Sequence, residues 1–260
     1  MKLLKSSLNL YYLDLILELF RKEFKVRYKS SILGYLWSIA LPFTQAITFY
    51  FAFKFIMRIQ IENYTLFLII GLFPWQWFSN SILASTNALI SNASLIKKTL
   101  FLRESLLYAT VLNDMVHFIL SIPIILVVLF IYGKSISFNF LFFFPSYIII
   151  QFLVTSGISL IVSSVNLFFR DLERIVLVSL NILFYLTPIL YEEKMIPKEY
   201  YHYLLKLNPM FPLIVLYRDL ILKNTVNEYY LITSIFQAII IFLIGYIVFN
   251  KLKWKFAEVL

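Results

Sequence analysis

"FKVRYKSSILGYLWSIALPF", residues 24–43, changes character half-way along. Lys25, Arg27 and Lys29 crowd its first half. Its second half is almost purely apolar, carries Trp37 and meets Pro42. A dense basic run set directly against a hydrophobic wall marks a chain entering a bilayer. The cations stay with the anionic cytoplasmic surface while the apolar run goes into hydrocarbon. Trp37 then stands where an interfacial aromatic anchor belongs.

The rest of the chain reads the same way. Its 260 residues are 61% hydrophobic, 19% aromatic and 14% charged. A soluble domain is about 45–50% apolar and about 25% charged. Mean hydropathy is +0.84. One soluble core cannot bury that much apolar surface, so the class is integral membrane protein. A crossing needs ~20 apolar residues. Six stretches qualify: Leu33–Met57, Tyr64–Ser85, Leu106–Tyr132, Phe140–Phe169, Ile175–Tyr191 and Tyr229–Phe249. They lack barrel alternation and are far longer than barrel strands, which leaves helices as the backbone solution in lipid. The expectation is an all-α membrane protein with six transmembrane helices in residues 31–260. Of the 23 lysines and arginines, 15 lie before the first stretch, between the second and third, between the fourth and fifth, or after the sixth. Both termini are therefore expected in the cytoplasm.

Two segments fall outside the six. In residues 8–29, Asp14, Glu18, Lys22, Lys25 and Lys29 step by three or four, and Leu13, Ile16, Leu17, Phe20 and Phe24 step likewise on another face. That is an amphipathic helix, too charged to cross, expected in the interface plane. With only a few residues between it and the first crossing, a push on one moves the other. The connection 192–228 mixes charges with the apolar pieces "YYHYLLKL" and "MFPLIVLYRDLIL". The second is too short to span and suits a re-entrant helix. Asn208-Pro209 marks a turn between the two.

Several function classes drop out. There is no cysteine, so disulfides and thiolate metal sites are excluded, and two histidines leave little for a histidine site. The net charge of +9 reads as cytoplasmic loops against anionic lipid, with no nucleic acid implied. No removable signal peptide is visible. No phosphate-cradling loop occurs and the five glycines are unclustered, so ATP and its Mg would have to sit on another chain. No G-x-S-x-G elbow or separable carboxylate pair supports enzyme chemistry. Asp114 and His117 share a helical face, open to a proton relay or, more commonly, interhelical hydrogen bonds. "FFRDLER", residues 168–174, reads equally as a solvated turn or as a docking surface for a charged partner. "FPWQWF", residues 73–78, puts Trp75 and Trp77 in a proline-containing crossing, either as belt aromatics or as faces on which sugar rings stack.

Five stretches, in order, resemble the membrane subunits of ABC-type polysaccharide exporters, which carry O-antigen, capsular polysaccharide or teichoic acid. They are "VRYKSSILGYLWSIALP", "LIIGLFPWQWFSNSI", "NASLIKKTLFLRESL", "NLFFRDLERIV", and "YLTPILY" followed by "LNPMFPLIVLYRDLIL". The resemblance spans nearly the whole chain. It implies a homodimer with two copies of a separate ATPase in a bacterial inner membrane. It also implies a lipid-linked polysaccharide threaded between the two copies.

On that basis Lys22, Lys25, Arg27, Tyr28 and Lys29 are expected at the cytoplasmic entrance, near anionic lipid or a substrate diphosphate. Lys97, Lys98, Arg170, Asp171 and Arg174 are expected to couple to the ATPase. Tyr35, Trp37, Trp75, Trp77 and Phe78 are expected to line or flank the channel, where weak repeated stacking lets sugars slide. Asn208, Pro209 and Arg218 are expected at an outer gate. The alternatives are a drug or lipid exporter permease, an ion-gradient-driven secondary transporter, and an intramembrane enzyme on lipid-linked sugars. The second predicts charges deep in the crossings, where only Lys54, Asp114 and His117 occur, and an inverted repeat, of which none is obvious.

Overall fold

Helices, most of them apolar, make up the described residues. The structure is a computed structural model that describes residues 12, 14–25, 36–56, 58, 61–98, 101–135 and 137–260. In chain order the helices are α1 (14–25), α2 (Leu36–Tyr50), α3 (Tyr64–Ser91), α4 (Ala93–Lys98), α5 (Glu104–Ile131) and α6 (Phe138–Asn166). Then come α7 (Leu172–Leu186), α8 (Lys198–Leu207), α9 (Met210–Leu222), α10 (Glu228–Leu252) and the short α11 (Phe256–Val259). A π-helical turn, Phe51–Ile56, extends α2. No strand occurs among the described residues.

Helices α3, α5, α6 and α10 are long and apolar enough to cross a membrane. Helices α2 and α7 have 15 residues each, fewer than the ~20 of a full crossing. The fifth apolar stretch, read as 175–191, is helical only over Leu172–Leu186. Thr187 precedes Pro188 and is extended (φ −91, ψ 137), as the residue before a proline prefers. Side-chain caps fix two helix starts: Ser137 accepts from the Asn139 amide, and Asn227 from those of Tyr229 and Tyr230.

Two apolar clusters divide the interior. The larger holds most of α3 and α9 with their neighbours on α5, α6 and α7. The smaller joins Leu19 of α1, Ile96 of α4, Leu106, Leu160, Leu167, Phe249 and Phe256. The second cluster marks one end of the bundle, called here the basic end. There α4, the α6–α7 turn and the chain after α10 meet. The opposite, hairpin end carries the α8–α9 pair, and Asn224 ties it to the α5–α6 connection by accepting from the Ser137 amide.

The tightest crossing is α6 on α10. A Cβ at Gly245 would stand 2.2 Å from the Gly157 carbonyl oxygen, and one at Gly157 would stand 2.7 Å from that of Ile241. Only glycine permits backbones so close, the small-residue route by which helices associate in lipid.

Candidate functional site

At the hairpin end, α9 lies buried against α3, α6 and α10. Tyr217 packs edge-on to Phe118, Phe144 and Tyr147. The next residue, Arg218, is also buried. Among the described residues it makes no ion pair of its own; Asp219 is bridged to Lys223 at 2.6 Å, and the charges of Glu193, Glu192 and Asp219 favour it without direct contact. Its direct partners are carbonyl oxygens. Nη2 donates to Ile189 O at 2.6 Å, Nη1 to Pro188 O and, at 3.5 Å, to Tyr191 O, and Nε to Phe67 O at 3.3 Å. The guanidinium carbon lies 3.4 Å from the centroid of the Phe67 ring, a cation–π contact. The Pro188, Ile189 and Tyr191 carbonyls follow the C-terminus of α7, the negative end of that helix. Tyr64 adds a bond from its hydroxyl to Leu190 O at 2.9 Å. Arg218 thus fastens α9, α3 and the chain leaving α7 into one block.

Asn208 completes the block. Its Nδ2 donates to Thr187 Oγ1 at 2.7 Å and its Oδ1 accepts from the Met210 amide at 3.1 Å. Asn208 and Arg218 therefore grip the same segment, 187–191. Pro209 stands immediately before the first turn of α9, where its missing N–H costs nothing.

At the basic end, Arg170, Asp171 and Arg174 are exposed. With Leu83, Glu173 and Leu177 they line a cavity of about 440 Å³. One buried asparagine holds this turn. Asn166 Oδ1 accepts from the Glu173 amide and its Nδ2 donates to Thr86 O, both at 3.0 Å. The turn is thereby tied to α3 and points its charges outward. Lys97 and Lys98 are exposed on α4, a separate surface of the same end.

Helix α1 leans on α3 and α5. Leu19 is buried in the smaller cluster. Lys22 donates to Asn92 at 2.8 Å, and Thr110 donates to Glu23 at 3.2 Å. The Tyr12 hydroxyl bonds Glu104, and Phe24 stacks on His117 at 5.6 Å. Lys25 is exposed. Arg27, Tyr28, Lys29 and Tyr35 lie outside the described residues, as does the Trp37 side chain. Asp114 is buried and accepts from Ser81 Oγ at 3.0 Å, joining α5 to α3.

The aromatics of α3 face inward. Trp75, Trp77 and Phe78 are all buried. Trp77 Nε1 donates to Val111 O and its ring stacks on Phe118, while Trp75 packs on Phe78 and Phe184. Within one chain these three pack the core. Their apolar neighbours all round α3 leave them nowhere to point outward. The sequence pointed to Arg218, the Asn-Pro turn and the stretches that hold Gly71 and Asn166, but not to what Gly71 and Asn166 touch or to the Gly157–Gly245 crossing. A Cβ at Gly71 would stand 2.7 Å from Arg218 Nη2, a relation between residues far apart in the chain.

Four helices long and apolar enough to cross a membrane, with a buried α9 at one end and a charged turn at the other, define a membrane-embedded domain. Residues 14–222 match the ABC-2 type transporter family, and the chain belongs to it. It is 46% identical over 258 residues to the O-antigen export system permease protein RfbA of Klebsiella pneumoniae, covering 99% of both chains. It is 32% identical over 218 residues to RfbA of Myxococcus xanthus, covering 84% of each. To the polysialic acid transport protein KpsM of Escherichia coli it is 24% identical over 213 residues, 81% of this chain and 82% of that one.

Proposed function

We propose that this chain is the permease of an ATP-driven exporter that moves a lipid-linked polysaccharide of O-antigen type across a bacterial inner membrane. Identity of 46% over nearly the full length of an O-antigen export permease carries this reading. Two copies form the pathway. A separate ATPase, also in two copies, supplies ATP and Mg. Both termini lie in the cytoplasm, so the basic end faces inward and the α8–α9 pair is the re-entrant element on the outer side. Helix α2 with its π turn, and α7 with the segment 187–191, complete six crossings. Helix α1 serves as the interface helix beside the entrance, with Lys22 and Lys25 near the anionic end of the substrate.

Helix α7 supports this arrangement. It buries one stripe, Val176, Leu180 and Phe184, and exposes Ile175, Val178, Ile182 and Tyr185. Its first residues belong to the charged turn, and the chain at its far end is gripped by Arg218 and Asn208. A push on Arg170, Asp171 and Arg174 by the ATPase would travel along α7 to the outer hairpin. The polymer's wall then comes from faces such as this one, exposed in a single copy, rather than from Trp75, Trp77 or Phe78.

Deleting the gene should leave lipid-linked polysaccharide inside the cell and none on its surface, and re-expression should restore surface polymer. Undiminished surface polymer in the deletion strain would overturn the assignment.

A further inference from the structure

The outward face of α10 does not end with the hydrocarbon. Ile240, Ile244 and Ile247 are exposed in steps of four and three, and the same rhythm continues to Lys251 and Trp254. Trp254 is 78% exposed, while Phe249 and Phe256 on the opposite side are wholly buried and pack edge-on at 5.3 Å. The segment is anchored. Arg103 donates to the Lys253 carbonyl and lies 5.9 Å from the Phe256 ring, and α11 packs against α4. Trp254 is therefore held outward on a fixed support. Around it stand Lys251, Lys253 and Lys255, with Lys253 Nζ 5.7 Å from its ring. Lys97 and Lys98 are exposed on the neighbouring α4. Within residues 251–260 the only carboxylate side chain is Glu258.

We infer that Trp254 with Lys251 and Lys255 forms a binding site for the headgroup of an anionic phospholipid, at the lipid-facing edge of the basic end. Three features favour lipid over a protein occupant. The site continues an exposed apolar stripe on a helix long and apolar enough to cross. It ends that stripe on a tryptophan, the residue type that membrane–water interfaces favour. Its cations are lysines with flexible stems that reach toward phosphate. The inference rests on α10 crossing the bilayer, but not on which side the basic end faces or on the cargo.

Trp254 can be read by quenching. The full chain and its Trp254→Phe variant are reconstituted in vesicles containing brominated phosphatidylglycerol or brominated phosphatidylcholine. The difference in emission between the two proteins isolates Trp254 from Trp37, Trp75 and Trp77. The expected result is half-quenching at a several-fold lower fraction of phosphatidylglycerol than of phosphatidylcholine. Anionic surfaces attract each lysine by about fivefold, so Lys251→Gln with Lys255→Gln should bring the two fractions close together. Equal quenching by both lipids in the unmodified chain overturns the anionic site while leaving the crossing intact. No quenching by either lipid, with Trp254 open to acrylamide, overturns both. Access to acrylamide that closes only when the ATPase is added assigns the patch to protein docking and also overturns the proposal.

Discussion

Arg218 shows how a single residue sets the shape of the hairpin end. It is buried with no ion pair among the described residues, so its direct contacts are carbonyl oxygens and the Phe67 ring. Lysine has one point charge and no planar fork, so it cannot serve the carbonyls of Phe67, Pro188 and Ile189 together. Arg218→Lys should lower stability by at least about 2 kcal/mol, since each hydrogen bond lost to a charged group costs ~1.5–3 kcal/mol. Gly71→Ala should also lower stability, because the new methyl meets Arg218 Nη2, which the Ile189 carbonyl holds in place. Thermal unfolding followed by size-exclusion fluorescence in detergent reads both. An unchanged midpoint for Arg218→Lys would remove its role as a brace. At this scale the sequence was partly legible. A lone arginine in an apolar 13-residue piece stood out, but its partners did not, because backbone carbonyls leave no mark in composition. The burial of the α3 tryptophans was hidden for the same reason: aromatic content is visible in a sequence, but the face it occupies is decided by neighbours.

Among the elements, α6 and α10 depend most on small residues. Gly245→Ala would press a methyl onto the Gly157 carbonyl at 2.2 Å, with backbone on both sides and nothing flexible to yield. Overpacking of this kind costs about 1–3 kcal/mol. It should lower the unfolding midpoint more than Gly71→Ala does, and the reverse order would contradict the crossing described. The charged turn before α7 makes a different prediction. Arg170→Ala with Asp171→Ala removes exposed side chains that make no hydrogen bond or ion pair among the described residues. Export should be abolished while membrane insertion and unfolding midpoint stay unchanged; retained export would refute coupling through this turn. Element type and approximate position were readable because long apolar runs have few alternatives in lipid. The end of α7 was not, since the apolar run continues through Thr187, Pro188 and Ile189 although the helix stops. Nor was the seat of α1, which depends on Leu19 meeting α4 and α5 residues remote in sequence.

For the whole molecule, the exposed face of α7 predicts its neighbour. The chain has no cysteine, so one introduced thiol can pair only with its own counterpart in a second copy. In oxidised membranes Val178→Cys should give a linked dimer, and Ile247→Cys on the outward stripe of α10 should not. Equal linkage at both positions would move the interface away from α7. A chain with no phosphate-cradling loop is proposed to move polymer only with a separate ATPase. The most direct test uses inverted inner-membrane vesicles containing this chain, with and without the ATPase and ATP. It measures how much lipid-linked polysaccharide becomes protected inside. The account predicts protection only when this chain, the ATPase and ATP are all present; protection by this chain alone, driven by an ion gradient, would contradict it.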